Sequence, residues 1–151
     1  MHLFFVVFLT QATMRLTTYT DYAIRVLVYL GAREGELCSI REITTAFGLS
    51  QSHMMKVVQD LSAAGFITAT RGRGGGIRMT RPPESINLGA LLRHTERLTN
   101  LLECSECLVS RACGMPPILS EATAAFVSVF DRYTVADLVR RKADLRVLLA
   151  S

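Results

Sequence analysis

The sequence predicts a mainly α-helical protein with a small β-hairpin: a winged helix-turn-helix domain followed by a cysteine-containing loop and a long dimerisation helix. Two amphipathic segments joined by the turn GLS give the helix-turn-helix, and a β-rich segment around RGRGGG gives a hairpin directly after it. Further along, CSECLVSRAC places three cysteines within ten residues. The chain has 151 residues, half of them hydrophobic, which is enough for a packed core.

The first 13 residues are predicted to be a non-native or disordered extension, with the ordered pattern beginning at Met14. The apolar run LFFVVFL has seven residues, whereas a membrane-spanning helix needs about 20. It has neither a basic region before it nor a clean cleavage site, so it is a poor signal peptide. We therefore expect no membrane association and a cytoplasmic protein; a short arm that touches a membrane is the alternative.

The first two helices are predicted from apolar spacing and capping residues. The first covers residues 21–32 with Thr20 as its N-cap. The second begins at Ser39, where SIRE has the form of a capping box, and ends at Gly48. The residues expected to face inward are Ala23, Val26, Leu27, Leu30, Ile40, Ile43 and Phe47.

The third helix is predicted to read DNA. It starts from Ser50 as N-cap and ends at Gly65, with Met54, Val57, Val58 and Leu61 facing inward. Its other face carries Gln51, Ser52, His53, Lys56 and Gln59. These side chains are of the kind that reaches base edges and phosphates. A generic helical pair would give the same pattern, so the segment that follows matters.

That segment predicts the wing. Residues 66–70 and 77–80 are rich in strand-forming side chains and flank the basic, glycine-rich tip. Gly72 and Gly74 allow close approach of the backbone, and Arg71 and Arg73 can enter a minor groove or contact phosphate. The glycine run lacks the phosphate-loop pattern and no helix opens after it, which excludes a nucleotide-binding loop.

Beyond Pro82-Pro83 we place the boundary between a DNA-binding domain (14–83) and a sensor and dimerisation region (84–151). Asn87 is expected to cap a helix to about residue 96, with Leu88, Leu91 and Leu92 inward. A loop over about 100–117 holds the cysteines, and a longer helix runs to about residue 132. Its heptad-like apolar residues are Leu119, Ala122, Phe126, Val129 and Tyr133. They predict a dimer interface, with packing inside the chain as the alternative. Thr134 is expected to cap another helix.

The distribution of charge and the spacing of the cysteines limit the possible functions. Through Arg81 there are nine Arg and Lys against five Asp and Glu, and after it eight against eight. The net charge of +4 therefore belongs to the first half and favours a polyanion partner, or else a solvated basic face. Cys104, Cys107 and Cys113 have the spacing C-x2-C-x5-C, which suits a metal centre with a fourth ligand from elsewhere. The isolated Cys38 is expected to be a small buried hydrophobe.

The chain resembles the Rrf-type winged-helix iron–sulfur regulators, which include the repressors IscR, RirA and NsrR. Four segments carry the resemblance: MRLTTYTDYAIRVLVYL, LSQSHMMKVVQDLSAAGFITATRGRGGGIRM, the cysteine loop and YTVADLV. It extends over nearly the whole chain from Met14, and is strongest to the nitric-oxide-sensitive branch. It implies a homodimer that binds a double-stranded DNA operator with an inverted repeat, and a cluster that takes nitric oxide, redox or iron status as its signal.

The resemblance also implies the ligands. Cys104, Cys107 and Cys113 would hold the cluster, with Asp21 of the partner subunit as the fourth ligand. Asp21 would otherwise be an ordinary acidic residue in the first turn of a helix. A 4Fe–4S cluster is favoured. The first cysteine gap is shorter than is usual in the family, while the second matches it, and this departure leaves 2Fe–2S open.

Two other functions compete with this one. The cysteines would alternatively bind zinc or act as a thiol switch, and His94 is then a candidate ligand, although a helical histidine is more often a packing residue. An enzyme is not expected, because the sequence has no supported catalytic constellation.

Overall fold

The computed structural model describes residues 15–96, 102 and 104–150. The helices in that part are α1 (Thr18–Ala32), α2 (Ile40–Phe47), α3 (Gln51–Ala63), α4 (Leu88–Thr95), α5 (Met115–Phe130), α6 (Val135–Leu138) and α7 (Lys142–Leu148). An antiparallel hairpin of β1 (Ile67–Thr70) and β2 (Gly76–Met79), then a 3-10 turn at Pro83–Ser85, lie between α3 and α4. The predicted fold class is thereby confirmed. The predicted extension over residues 1–13 lies outside the described residues.

Helix α1 starts earlier than the sequence indicated. Its N-cap is Thr17, whose hydroxyl accepts a hydrogen bond from the Thr20 amide at 3.2 Å. The prediction of Thr20 as the cap is wrong: Thr20 is buried within the helix and its Oγ1 donates to Oγ1 of Thr95 at 2.8 Å. Either threonine can cap a helix, and packing against α4 uses the hydroxyl of the second one.

The helix-turn-helix follows the predicted signals closely. The Ser39 amide donates to Oε2 of Glu42 at 2.5 Å and the Glu42 amide donates to Oγ of Ser39 at 3.2 Å, which completes the predicted capping box. Gly48 ends α2. Ser50 occupies the N-cap position of α3, but its side chain makes no capping hydrogen bond. The inward faces of these helices lie in the core as expected.

The hairpin is attached to the rest of the fold through a backbone bridge as well as through its buried side chains. Ile67 pairs with Met79, and Thr70 pairs with Gly76. Near the tip end of β2, Ile77 forms a bridge with Cys38, with N–O distances of 2.9 and 2.8 Å. A Cβ atom on Gly76 would lie 2.8 Å from the Cys38 carbonyl oxygen, so this close approach requires glycine. The tip end of β2 is thus tied to the α1–α2 connection.

The second half differs from the prediction at two helix ends. Asn87 caps α4 as predicted, its Oδ1 accepting from the Ala90 amide at 3.0 Å. Helix α5 already begins at Met115, because prolines are tolerated in a first helical turn, so the cysteine loop ends before the predicted residue 117. It ends at Phe130 because Tyr133 accepts from the Leu88 amide at 3.0 Å beside a bridge to the α4 cap. Tyr133 therefore lies outside the predicted helical seam.

Residues from both sides of Pro83 share one core. Leu88, Leu91 and Val135 belong to the same buried cluster as the inward residues of α1 and α3. A Cβ atom on Gly31 of α1 would lie 3.1 Å from Val139, which shows how closely α1 approaches the C-terminal residues. The division into regions 14–83 and 84–151 stays a prediction.

Candidate DNA-binding surface and cysteine segment

Helix α3 presents one face to the core and the other to solvent. Met54 and Leu61 are fully buried, and Val57 and Val58 nearly so. The predicted reading residues all lie on the exposed face: Gln51, Ser52, His53, Lys56 and Gln59. The exposed length of the helix is therefore free of packing contacts and able to enter a groove.

The hairpin tip is equally accessible. Arg71, Gly72, Arg73 and Gly74 are exposed, and the Gly75 amide closes the turn by donating to the Gly72 carbonyl oxygen at 3.0 Å. Gly72 has φ = 97°, a conformation that favours glycine. The geometry holds both arginine side chains outward on a compact turn. We call the exposed face of α3 together with this tip the reader surface.

The positive charge of the reader surface is not neutralised inside the chain. Among the described residues, no carboxylate forms an ion pair with Lys56, Arg71 or Arg73; ion pairs join other groups, such as Arg93 with Asp131. Two further arginines, Arg78 and Arg81, are also exposed and form no ion pair with a carboxylate of the described residues, and the sequence did not predict them as part of this surface. Arg78 follows the buried Ile77 in β2, so the alternation along the strand was the signal that places it outward.

The cysteine segment, residues 104–113, lies on the surface as a series of turns. Cys104 is half-buried and Cys107 and Cys113 are exposed, all as free thiols. The Cys107 amide donates to the Cys104 carbonyl oxygen at 3.3 Å. Sγ of Cys113 accepts from the Met115 amide at 3.5 Å, at the start of α5.

The structure does not gather the candidate ligands at one point. Within residues 15–96, 102 and 104–150, no three His, Cys, Asp or Glu side chains lie close enough together to hold a metal ion. The donor set nevertheless fits an iron–sulfur cluster in kind, because three free thiols sit on one exposed segment and thiolates are the usual ligands of cluster iron. This segment would have to rearrange around the group.

Asp21 lies in the first turn of α1, on a partly exposed site. Its Oδ2 accepts from Nε of Arg25 at 2.9 Å, and its side chain is 47% exposed. The start of α1 is joined to the end of α4, since Oε1 of Glu96 accepts from the Thr17 amide at 2.6 Å. The cysteine segment follows Glu96 in the chain after seven residues. The role of Asp21 as a ligand of the other subunit stays a prediction.

Asp60 of α3 brings together two residues that the sequence did not connect. Its Oδ2 accepts hydrogen bonds from Oη of Tyr19 and from Nε2 of His94, the latter at 2.6 Å. The Tyr19 hydrogen bond, with a smaller contribution from His94, lowers the pKa of Asp60. Burial, assisted by Asp60, raises the pKa of Tyr19. We call Tyr19, Asp60 and His94 the Asp60 cluster.

This contact bears on His94 and the zinc alternative. Besides its bond to Asp60, the His94 ring packs on the Phe66 ring with 5.7 Å between centroids. His94 thus has a structural role, as a helical histidine commonly does. The isolated Cys38 is 3% exposed, as expected, and its burial raises the pKa of its thiol.

None of the helices in the described residues is long and apolar enough to cross a bilayer.

Comparison with known proteins identifies the family of the chain. The model of the Rrf2 family, described as an iron-dependent transcriptional regulator, matches residues 16–141.

Two curated relatives are HTH-type transcriptional regulators named NsrR. The one from Bacillus subtilis (strain 168) is 44% identical over 142 residues, which covers 90% of this chain and 97% of the relative. The one from Bacillus licheniformis is 40% identical over 143 residues and is matched over its full length, with 91% of this chain covered. The solved structure of T. potens IscR aligns with a TM-score of 0.69 at 21% identity, covering 85% of this chain and 88% of that one, and supports the fold.

Proposed function

The chain belongs to the Rrf2 family of transcriptional regulators, as its sequence indicated, and is not an enzyme; from that premise we propose that it is a cytoplasmic, homodimeric repressor that senses nitric oxide, or redox or iron status, through an iron–sulfur cluster. The observation that carries the proposal is the combination, in one chain, of an unneutralised basic reader surface with three free thiols on an exposed segment. A 4Fe–4S cluster is favoured over 2Fe–2S.

The reader surface supports the DNA-binding step. Helix α3 would lie in the major groove with Gln51, Ser52 and His53 at base edges and Lys56 near phosphate. Arg71 and Arg73 would contact phosphates or a narrow minor groove, and Gly72 and Gly74 let the tip approach closely. Because these cations have no carboxylate partner in the described chain, no internal ion pair has to be broken when DNA binds.

The exposure of α5 supports a second copy of this chain as partner. Of the residues of this helix, all of which are described, only Val127 is buried. Ile118 is 60% and Val129 42% exposed, while Phe126 lies edge-on to Phe130 at 5.2 Å. Pairing of two such helices would bury this apolar surface. Two reader helices would then face half-sites of an inverted repeat about one turn of DNA apart.

Cys104, Cys107 and Cys113 would hold the cluster, with Asp21 of the partner subunit as the fourth ligand. When bound, an iron–sulfur cluster supplies iron that reacts with nitric oxide, most readily where its ligand is a weak carboxylate. Asp21 would exchange its contact with Arg25 for that ligand role, at little energetic cost because the pair is exposed.

The proposal is tested with full-length protein purified without oxygen. We expect a brown protein whose iron and sulfide contents are stoichiometric, that selects an inverted repeat from a random pool of DNA duplexes and releases it on nitric oxide addition. Cys104→Ser should lose the colour and the specific binding together. Cys38→Ala is the matched control, because that thiol is buried away from the surface segment, and should keep both.

Two outcomes would contradict the proposal. A colourless protein with stoichiometric zinc would favour the zinc or thiol-switch regulator instead. Normal repression with an unchanged nitric oxide response in all three serine variants would show that the cysteine segment is not the sensor. In either case binding of the inverted repeat would still test the DNA-binding part separately.

A further inference from the structure

A single carboxylate oxygen on the reader helix is bound by two other helices. Oδ2 of Asp60, in the last turns of α3, accepts from Oη of Tyr19 in α1 and from Nε2 of His94 in α4. The three residues are far apart in sequence: the residue numbers of Asp60 and its partners differ by 41 for Tyr19 and by 34 for His94. Hydrogen bonds to an ionised acceptor are shorter and stronger than neutral ones. The Asp60 cluster therefore fixes α3 against both helices at one atom.

Both donors are close in sequence to the candidate sensor residues. Tyr19 is two residues before Asp21, and His94 lies in the last turn of α4, after which the chain runs toward the cysteine segment. The starts and ends of these helices are also joined directly, by Thr17 to Glu96 at 2.6 Å and by Thr20 to Thr95 at 2.8 Å. A change in the cysteine segment or at Asp21 would therefore move the two donors together.

His94 also contacts the wing. Its ring packs on Phe66, which precedes β1, so the same side chain meets the reader helix and the base of the hairpin. Apolar residues of α3 such as Met54 and Leu61 belong to the same buried cluster as residues of α1. Apolar contacts are non-directional, whereas a hydrogen bond weakens steeply when its partners shift or tilt. The Asp60 cluster is thus the contact most sensitive to a small displacement.

We propose that Asp60 is a positioning residue through which the state of the cysteine segment sets the DNA affinity of the reader surface. This inference rests on the proposed function. The hydrogen bonds from Tyr19 and His94 hold α3 and the hairpin in the arrangement that reads DNA while the cysteine segment is ordered around its ligand. When that segment rearranges, α4 and the start of α1 shift, and α3 follows through Asp60.

The test compares operator affinity in two states of the sensor. Dissociation constants are measured for anaerobically purified protein and for the same protein carrying Cys104→Ser, on the duplex selected from the random pool. The ratio of the dissociation constant with Cys104→Ser to the dissociation constant with intact cysteines is determined for the wild type, for Tyr19→Phe and for Asp60→Asn. Tyr29→Phe and Asp144→Asn are matched controls: the Tyr29 hydroxyl makes no hydrogen bond to the described residues, and Asp144 pairs with Arg141 in α7.

We expect the ratio to fall at least about fivefold in Tyr19→Phe and Asp60→Asn and to stay unchanged in both controls, since allosteric coupling is commonly worth about 5- to 150-fold. Amide hydrogen exchange gives a second readout. Cys104→Ser should speed exchange in the last turn of α3 in the wild type, but not in Tyr19→Phe, where that turn is already released. Tyr19→Phe removes one hydroxyl only, so it serves if Asp60→Asn fails to fold.

An unchanged ratio in Tyr19→Phe, with only a lower melting temperature or weaker binding in both states, would overturn the inference and reduce the Asp60 cluster to a stabilising contact. Equal affinities of the wild type with and without Cys104 would instead refute the proposed sensor, and the inference with it. The two failures are distinguished by the wild-type ratio.

Discussion

Replacing both wing arginines should change the salt dependence of DNA binding in a calculable way. Arg71 and Arg73 are exposed and pair with no carboxylate of the described chain, so each is available for one phosphate. Each phosphate contact contributes about 0.9 to the slope of log affinity against log salt. Arg71→Ala with Arg73→Ala should therefore flatten the slope by about 1.8 for each bound subunit, or about 3.6 for a dimer with two wings.

The magnitude is large enough to measure by fluorescence anisotropy. Going from about 50 to about 200 mM salt, a slope smaller by about 1.8 means that the variant loses about 12-fold less affinity than the wild type, and for two wings the factor becomes about 150. If the arginines instead enter a narrow minor groove, sequence preference should relax as well.

A charge-matched control separates this effect from net charge. Arg140→Ala with Arg141→Ala removes the same two charges, but from arginines that already pair with Asp137 and Asp144. We expect the control to keep the wild-type slope within experimental error. An unchanged slope and affinity in the wing variant would refute the reasoning that places the tip on DNA.

Four further outcomes can be checked directly. Phe126→Glu puts a charge at a half-buried position of the predicted seam of α5 and should give monomers in sedimentation; a dimeric variant would locate the interface elsewhere. In metal-free protein the exposed thiols should react with iodoacetamide in the native state and Cys38, whose pKa is raised by burial, only on unfolding, as mapped by mass spectrometry. The hydrogen bond from Tyr19 lowers the pKa of Asp60 in the folded protein. The ionised carboxylate therefore stabilises the fold above about pH 4, and this stabilisation is lost as the pH falls through the lowered pKa. The melting temperature of Asp60→Asn should therefore fall less between about pH 5 and pH 3 than that of the wild type. Gly76→Ala should cost about 1 to 3 kcal/mol of unfolding free energy in denaturant titrations, because its Cβ would meet the backbone oxygen of Cys38, and unchanged stability would show that the backbone at this bridge can shift.

The sequence predicted those features whose causes are local. The capping box at Ser39 and Glu42 is written in four consecutive residues, and the inward faces of the helices repeat at helical spacing. The hairpin and its tip follow from composition and glycine positions. The exposure of the predicted reader residues followed from the same pattern, because residues on the side of a helix opposite its apolar face point to solvent.

The features that were missed depend on contacts between distant segments. Thr17 and Thr20 are equally good caps in isolation, and only packing against Thr95 decides between them. The end of α5 is set by pairing of Tyr133 with Leu88, across more than forty residues. The Asp60 cluster has no local signature at all, because its aspartate, tyrosine and histidine each look like ordinary helix residues.

The bridge between Ile77 and Cys38 separates where the wing is held from what the wing recognises. Main-chain atoms make that bridge, at N–O distances of 2.9 and 2.8 Å, and the buried side chains of Phe66, Ile67 and Ile77 pack the strands into the core. A hairpin that keeps these residues and Gly76 should therefore be presented in the same position. The tip residues beyond it make no contribution to the anchorage. Replacing the tip with that of a relative should therefore transfer the groove preference of the relative, without changing the reader helix or the cysteine segment.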